Sequence, residues 1–251
     1  MRGDTAVAGD ADIALIGALM GEPARAAVLM ALLDGRALAA STLASEAGVS
    51  PSTLSSHLAR LVDGGLVEVQ ASGRHRYFRI ARPEVAQALE ALARLAPARP
   101  IRSLRQGTHA EAIRRARTCY DHLAGRLGVA LLDALVADGV LRVEAELDDR
   151  GRSDPVLGAG RAHHYVLSAK GRSRLAALGV ALEESRRPLT RYCLDWSEQR
   201  PHLAGALGSS LLARLSELGW VTPGERRVVR VSETGRRALE DELGVDPRAW
   251  A

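Results

Sequence analysis

A chain of 251 residues, 47% of them hydrophobic, has room for a small domain of about 95 residues and a further domain of ordinary size. Of its 34 Lys and Arg residues only Lys170 is lysine, and over residues 1–96 the basic and acidic side chains nearly balance, so the formal net charge of +4 reflects local basic stretches. Two cysteines, no apolar run of spanning length and no leader pattern exclude a disulfide scaffold and a membrane protein, and lead us to expect a cytoplasmic chain with reduced thiols.

After an apolar, helix-forming stretch (ALMGEPARAAVLMALLDG), residues 41–47 place Leu43, Ala44 and Ala47 at core spacing, and Gly48 supplies a residue able to take the left-handed turn. Ser50 stands as an N-cap with Pro51 at the first helical position, so a second helix starts there. Its apolar stripe is Leu54, Leu58, Leu61 and Val62. Ser52, Thr53, Ser55, Ser56, His57 and Arg60 fall largely on the other faces, short polar groups of the kind that approach phosphates and base edges in a major groove. Beyond Gly64 and Gly65, residues 66–69 alternate as a strand, residues 71–73 turn, and RHRYFRI returns as a second strand. Arg74, His75 and Arg76 are expected at the tip, against phosphate or an adjacent minor groove, with Tyr77 and Phe78 anchoring the hairpin to the core.

This run, LASEAGVSPSTLSSHLARLVDGGLVEVQASGRHRYFRI with its preceding helices, resembles the ArsR/SmtB family of bacterial transcriptional repressors over about residues 12–95. The resemblance implies a winged helix-turn-helix fold and a homodimeric repressor of double-stranded DNA. Ser52, Ser55, Ser56 and His57 would lie in the reading helix, and helices 12–20 and 83–95 would form the dimer contact. Thiol-sensing members carry cysteines before the turn or near the dimer contact; residues 1–118 here contain none, so those sites cannot exist in this chain.

Residues 96–107 (APARPIRSLRQG) have the composition of a linker, and an Arg-rich run from Arg99 to Arg117 follows, read as a solvated face ahead of an extended phosphate-facing strip. The pattern then changes. HLAGRLGVALLDALVADGV from His122 recurs as HLAGALGSSLLARLSELGW from His202, and YVLSAKGRSRLAALGV from Tyr165 recurs as VRVSETGRRALEDELGV from Val229. We expect two degenerate winged-helix-like units in the order helix, helix, hairpin, helix. The helices aligned with the reading helix have few exposed polar groups, so these units suit dimerisation or effector sensing better than groove reading. The expected architecture is mainly α with small β-hairpins: a winged helix-turn-helix DNA-binding and dimerisation domain at 1–96, a basic linker or helix at 97–117, and repeats at 118–187 and 188–251.

Each HLAG is preceded by a Cys and an Asp: Cys119 and Asp121 before His122, Cys193 and Asp195 before His202. On a helix Cys119 and His122 would share a face. Two such pairs would supply the four N/S ligands that zinc or cadmium prefers, with Asp121 and Asp195 orienting the imidazoles or serving as alternative ligands. Against this, cysteines commonly lie in cores, repetition copies whatever fixes the fold, and the longer spacing in the second copy breaks the ligand pattern, so packing is the expected role and no cofactor is assigned. Trp196, Trp220, Tyr120 and Tyr192 would alternatively line a pocket for an apolar effector, although core packing is commoner. The absence of a phosphate loop, oxyanion motif or carboxylate pair argues against an enzyme. The sequence thus reads as a dimeric DNA-binding repressor whose C-terminal repeats sense a small-molecule or metal effector or fix the oligomer; the rivals are a metal sensor using Cys119, His122, Cys193 and His202, and a DNA-binding protein whose repeats recruit a protein partner.

Overall fold

A computed structural model describes residues 10–73, 75–97, 100–145, 163–182 and 187–251. Two compact units divide the chain: Met1–Leu32 with Arg36–Val85, and Leu33–Gly35 with Ala86–Ala251.

In the first unit, α1 (Ile13–Gly21) and α2 (Pro23–Ala31) are followed by the two-residue strand β1 (Leu38–Ala39), α3 (Ala40–Ala47), α4 (Pro51–Asp63), and the hairpin of β2 (Val67–Ser72) and β3 (His75–Ile80). Local chemistry sets these boundaries. Gly48 closes α3 at φ 66°, letting the Val49 N–H reach back to the Ala44 carbonyl at 3.1 Å. Ser50 then caps α4, its hydroxyl accepting from the Thr53 N–H at 3.2 Å, with Pro51 at the first helical position. Leu54, Leu58 and Leu61 bury the inner face of α4 against a core that includes Val28, Leu29 and Leu43.

The wing ladder is antiparallel from Val67↔Ile80 to Ser72↔His75, and β1 joins its other edge through Leu38↔Phe78. Its turn is tighter than the alternation suggested: Ala71 and Ser72 remain paired, and Gly73, at φ 59°, takes the left-handed backbone that a two-residue turn demands. Phe78 is buried as expected, and Tyr77 is half-buried.

The second unit takes in α5 (Pro83–Leu95) from Ala86 onward, then α6 (Leu104–Arg115), which begins within the expected linker. From there the order is hairpin, helix, hairpin, helix, twice. The first pass is β4 (Arg117–Cys119), β5 (His122–Ala124), α7 (Gly125–Ala137), β6 (Leu141–Ala145), β7 (His163–Leu167) and α8 (Ala169–Ala177). The second is β8 (Arg191–Leu194), β9 (Pro201–Ala204), α9 (Gly205–Glu217), β10 (Val221–Pro223), β11 (Val229–Val231) and α10 (Glu233–Leu243). Each block therefore opens on a hairpin where the sequence suggested a helix. Arg117, Thr118 and Cys119 face Ala124, Leu123 and His122 across a two-residue turn, a length that leaves no room for a helical turn.

Leu127, Leu131 and Leu135 of α7 and Leu207, Leu211 and Leu215 of α9 meet in one core with Trp220, Leu239 and Trp250. Both helices serve this core, in keeping with their few exposed polar groups. Trp220 belongs to the core, while Trp196 lies beneath the Arg117 guanidinium, 4.8 Å from its ring centre, so these two tryptophans serve packing. Among the described residues no single helix is long and apolar enough to cross a membrane.

Candidate nucleic-acid interface and Cys-His cluster

On α4, Ser52, Thr53, Ser55, Ser56 and Arg60 are exposed, as the stripe of Leu54, Leu58 and Leu61 requires. They are not equivalent. Ser50, Ser52 and Thr53 join hydroxyl to hydroxyl at 3.0 and 2.9 Å, and the Ser55 hydroxyl donates to the Pro51 carbonyl at 2.9 Å. His57 is half-buried, its Nδ1 3.4 Å from Glu22 Oε2. Glu22 in turn caps α2 by accepting from the backbone N–H groups of Ala24 and Arg25. Those bonds draw the Glu22 carboxyl below its ordinary pKa, with a smaller contribution from His57. At the wing, His75 and Arg76 are exposed; Arg74 lies outside the described residues, as does Arg99 of the basic run.

That run is not uniformly solvated. Arg117, expected on its surface, is fully buried, with Nη2 2.9 Å from Asp195 Oδ2. Asp195 is equally buried: Oδ2 accepts from the Gly125 N–H at 2.7 Å, and Oδ1 accepts from the Ser197 N–H and hydroxyl at 2.9 and 2.8 Å. Burial, the largest single effect, opposes its ionisation, but Arg117, His202 and Ser197 together outweigh burial and the carboxyl titrates well below the ordinary range.

The hairpins β4–β5 and β8–β9 also bring the four repeated ligands together. Cys119 pairs with His122 across one ladder and Cys193 with His202 across the other, so the shared face is that of a strand pair rather than a helix. The longer second spacing does not scatter the ligands: its additional residues form the turn between β8 and β9, leaving Cys193 and His202 directly opposite. One donor atom from each of Cys119, His122, Cys193 and His202 lies within 4.8 Å of the others. The two sulfurs are 3.8 Å apart, about the edge of a tetrahedron with metal–sulfur bonds of about 2.3 Å. The imidazoles stack with centroids 5.1 Å apart.

His122 directs Nδ1 at Asp121 Oδ1, 3.2 Å away, leaving Nε2 buried with no hydrogen-bond partner. Both nitrogens of fully buried His202 lack a hydrogen bond, with Nδ1 3.6 Å from Asp195 Oδ2. Each imidazole therefore has a carboxylate beside one nitrogen and an unsatisfied nitrogen in the cluster, as in metal sites where an outer carboxylate orients a ligating histidine. Asp121 is itself paired with Arg187.

The Cys119 thiol is pushed up by its contact with Cys193 and by burial. His202 is held neutral by burial and by neighbouring His122; burial opposes charge on His122 too, but Cys119 and Asp121 outweigh it and raise His122 to about 9. A divalent cation inverts this balance by favouring thiolate and neutral imidazole. The donor set and its orphaned nitrogens fit a tetrahedral, thiophilic ion. Spacing alone does not show this geometry, because a three-residue step fits a helix face as well as a tight hairpin.

A capped helix behind a tight turn, with a hydroxyl-lined outer face and an adjoining antiparallel wing, defines a DNA-binding transcriptional regulator of the winged helix-turn-helix type. Residues 20–70 match the family described as a helix-turn-helix domain. Over 238 residues, covering 93% of this chain and 98% of the relative, the sequence is 36% identical to the uncharacterized HTH-type transcriptional regulator YdfF of Bacillus subtilis (strain 168). The chain belongs to this family of HTH-type transcriptional regulators. Among solved structures it is similar to reduced HlyU from Vibrio cholerae N16961 (30% identity, 34% of this chain and 88% of that one, TM-score 0.31). It is similar also to the cadmium metal-sensor CMTR from Mycobacterium tuberculosis (30% identity, 37% and 99%, TM-score 0.30).

Proposed function

We propose that this regulator is a homodimeric, sequence-specific repressor of double-stranded DNA whose C-terminal repeats sense a thiophilic metal ion, zinc or cadmium. Residues 1–96 carry DNA binding and dimerisation in this reading. Ser52, Thr53, Ser55, Ser56, His57 and Arg60 face the major groove, while Arg74, His75 and Arg76 face phosphate or the minor groove. No reaction is assigned to the chain, which acts in the compartment that holds the genome.

The observation that carries the sensing role is the convergence of Cys119, His122, Cys193 and His202 from two hairpins. Packing accounts for a buried thiol, but it leaves two imidazoles with buried, unsatisfied nitrogens, a costly arrangement that ligation relieves. Asp121 and Asp195 hold the imidazoles and remain outside the ligand set.

The test is metal content of untagged protein, followed by Cd²⁺ titration monitored by thiolate-to-metal absorbance and by retention of DNA from upstream of the gene. We expect one equivalent per chain, metal-dependent DNA affinity, and loss of both in Cys119→Ser and in His202→Gln. Stoichiometric uptake that persists in both variants, or no uptake by the parent, would overturn the sensing role.

A further inference from the structure

Two segments that precede the repeats in sequence belong to the C-terminal unit: Leu33–Gly35, and α5 from Ala86. The first bonds to the hairpin bearing Cys119 and His122, and the second to Arg227, which itself bonds to that hairpin at Thr118. Tyr120, between the two ligands, adopts φ 59° and donates its backbone N–H to the Leu33 carbonyl at 2.7 Å. A Cβ at Gly35 would stand 3.0 Å from the Tyr120 carbonyl oxygen, so backbone meets backbone there without a side chain between.

On the other side of the ligand, Thr118 donates its N–H to the Arg227 carbonyl at 2.9 Å, and Arg227 Nε donates to the Thr118 carbonyl at 3.0 Å. The same guanidinium forms an ion pair with Glu90 of α5, the two side chains 6% and 2% exposed. Arg227 is held at φ 72° and Arg226 at φ 47°, left-handed values that non-glycine residues keep only where their surroundings over-determine them. Glu90 Oε2 is buried with no hydrogen-bond partner. Such a pair adds little net stability over apolar residues of the same size, but removing one partner leaves the other charge buried, so the two elements are held to each other.

We propose that the Tyr120–Leu33 bond and the Arg227–Glu90 pair are the linkage through which occupancy of the Cys119, His122, Cys193 and His202 site acts on the Leu33–Gly35 turn and on α5. The inference rests on the metal-sensing reading. Thr118 and Tyr120 flank Cys119 directly, so a shift of the ligand strand must move one or both of their partners. Those partners are covalently continuous with α2 and β1 on one side and with the wing strand β3 on the other. Glu90 and Arg227 are thus positioning residues that touch no ligand.

Amide hydrogen exchange of the full chain, with and without saturating Cd²⁺, tests the linkage against direct Cd²⁺ titration. For the parent we expect exchange across 33–35 and 86–95 to change at least about fivefold on Cd²⁺ binding, the low end of ordinary coupling. Glu90→Gln and Arg227→Lys should bind Cd²⁺ with unchanged stoichiometry and lose the change at 86–95 while keeping that at 33–35. A response at 86–95 retained in both variants, or none in a Cd²⁺-binding parent, would overturn the linkage. Loss of Cd²⁺ binding in both variants would also overturn it, making the pair a support of the site. A parent that takes up no Cd²⁺ would instead remove the sensing reading itself.

Discussion

A Cβ placed on Gly208 of α9 would stand 3.2 Å from the Cβ of His122, and one on Gly128 of α7 would stand 3.6 Å from that of His202. Each block's helix thus carries the glycine beside the other block's histidine. The same missing side chains let each helix lie on its own hairpin, since the Gly208 Cβ would also fall 2.7 Å from the Leu203 carbonyl oxygen.

Gly208→Ala should therefore disturb stability and ligand position together. The new methyl meets backbone, which cannot rotate away, and overpacking of this kind costs about 1–3 kcal/mol. Chemical denaturation should report that loss, and Cd²⁺ titration should show weakened uptake, because His122 is displaced; unchanged denaturation and uptake would show that α9 moves off the hairpin freely.

Asp195→Ala removes the only anion described against the fully buried Arg117. Breaking a buried pair from one side costs about 3–5 kcal/mol, because the remaining charge stays uncompensated. A denaturation midpoint within error of the parent would mean that Arg117 finds solvent or another partner. Metal affinity should also fall about 10- to 100-fold, the ordinary effect of losing the group that orients a ligating histidine.

For DNA, Ser56→Ala should weaken binding to the cognate site more than to random duplex, since Ser56 is exposed on α4. Arg76→Ala should lower affinity for both and reduce the salt slope of log K by about 0.9, as loss of one phosphate contact does. Footprints on the upstream DNA should show two inverted half-sites about 10 to 10.5 base pairs apart, or a multiple of that. Equal losses for Ser56→Ala on both duplexes would make it a backbone contact only.

Glu22 gives a pH dependence whose sign is fixed. Its folded pKa lies below the ordinary carboxyl value of 4.5, so the folded state holds fewer protons than the unfolded chain near that value. The contribution is complete above about 4.5 and is lost as pH falls through the folded pKa. Glu22→Gln should flatten the acid limb of the stability profile. It should also release His57, visible as a shift of its imidazole resonances; an unchanged acid limb would show that the cap bonds persist when Glu22 is neutral.

The helix-turn-helix and the wing were legible because their signals are local. Gly48, the Ser50–Pro51 cap and the Leu54, Leu58, Leu61 stripe each act within one or two helical turns, and the alternation in residues 66–80 needs only a neighbouring strand. Tertiary structure decided His57, which its position assigned to the polar face but which Glu22, far away in sequence, draws partly inward. It also decided Arg117, one member of a basic run until Asp195 is brought beside it. The repeat of Cys, Asp and His was visible in the sequence, yet a three-residue spacing fits a helix face and a tight hairpin equally well. Only the pairing of β4 with β5 and of β8 with β9, and the approach of the two hairpins, turned a repeated packing motif into four convergent donor atoms. Local sequence specifies the hydrogen bonds a segment makes with itself; the partner of a buried charge or a ligand is set by chain closure over long separations, which no local periodicity records.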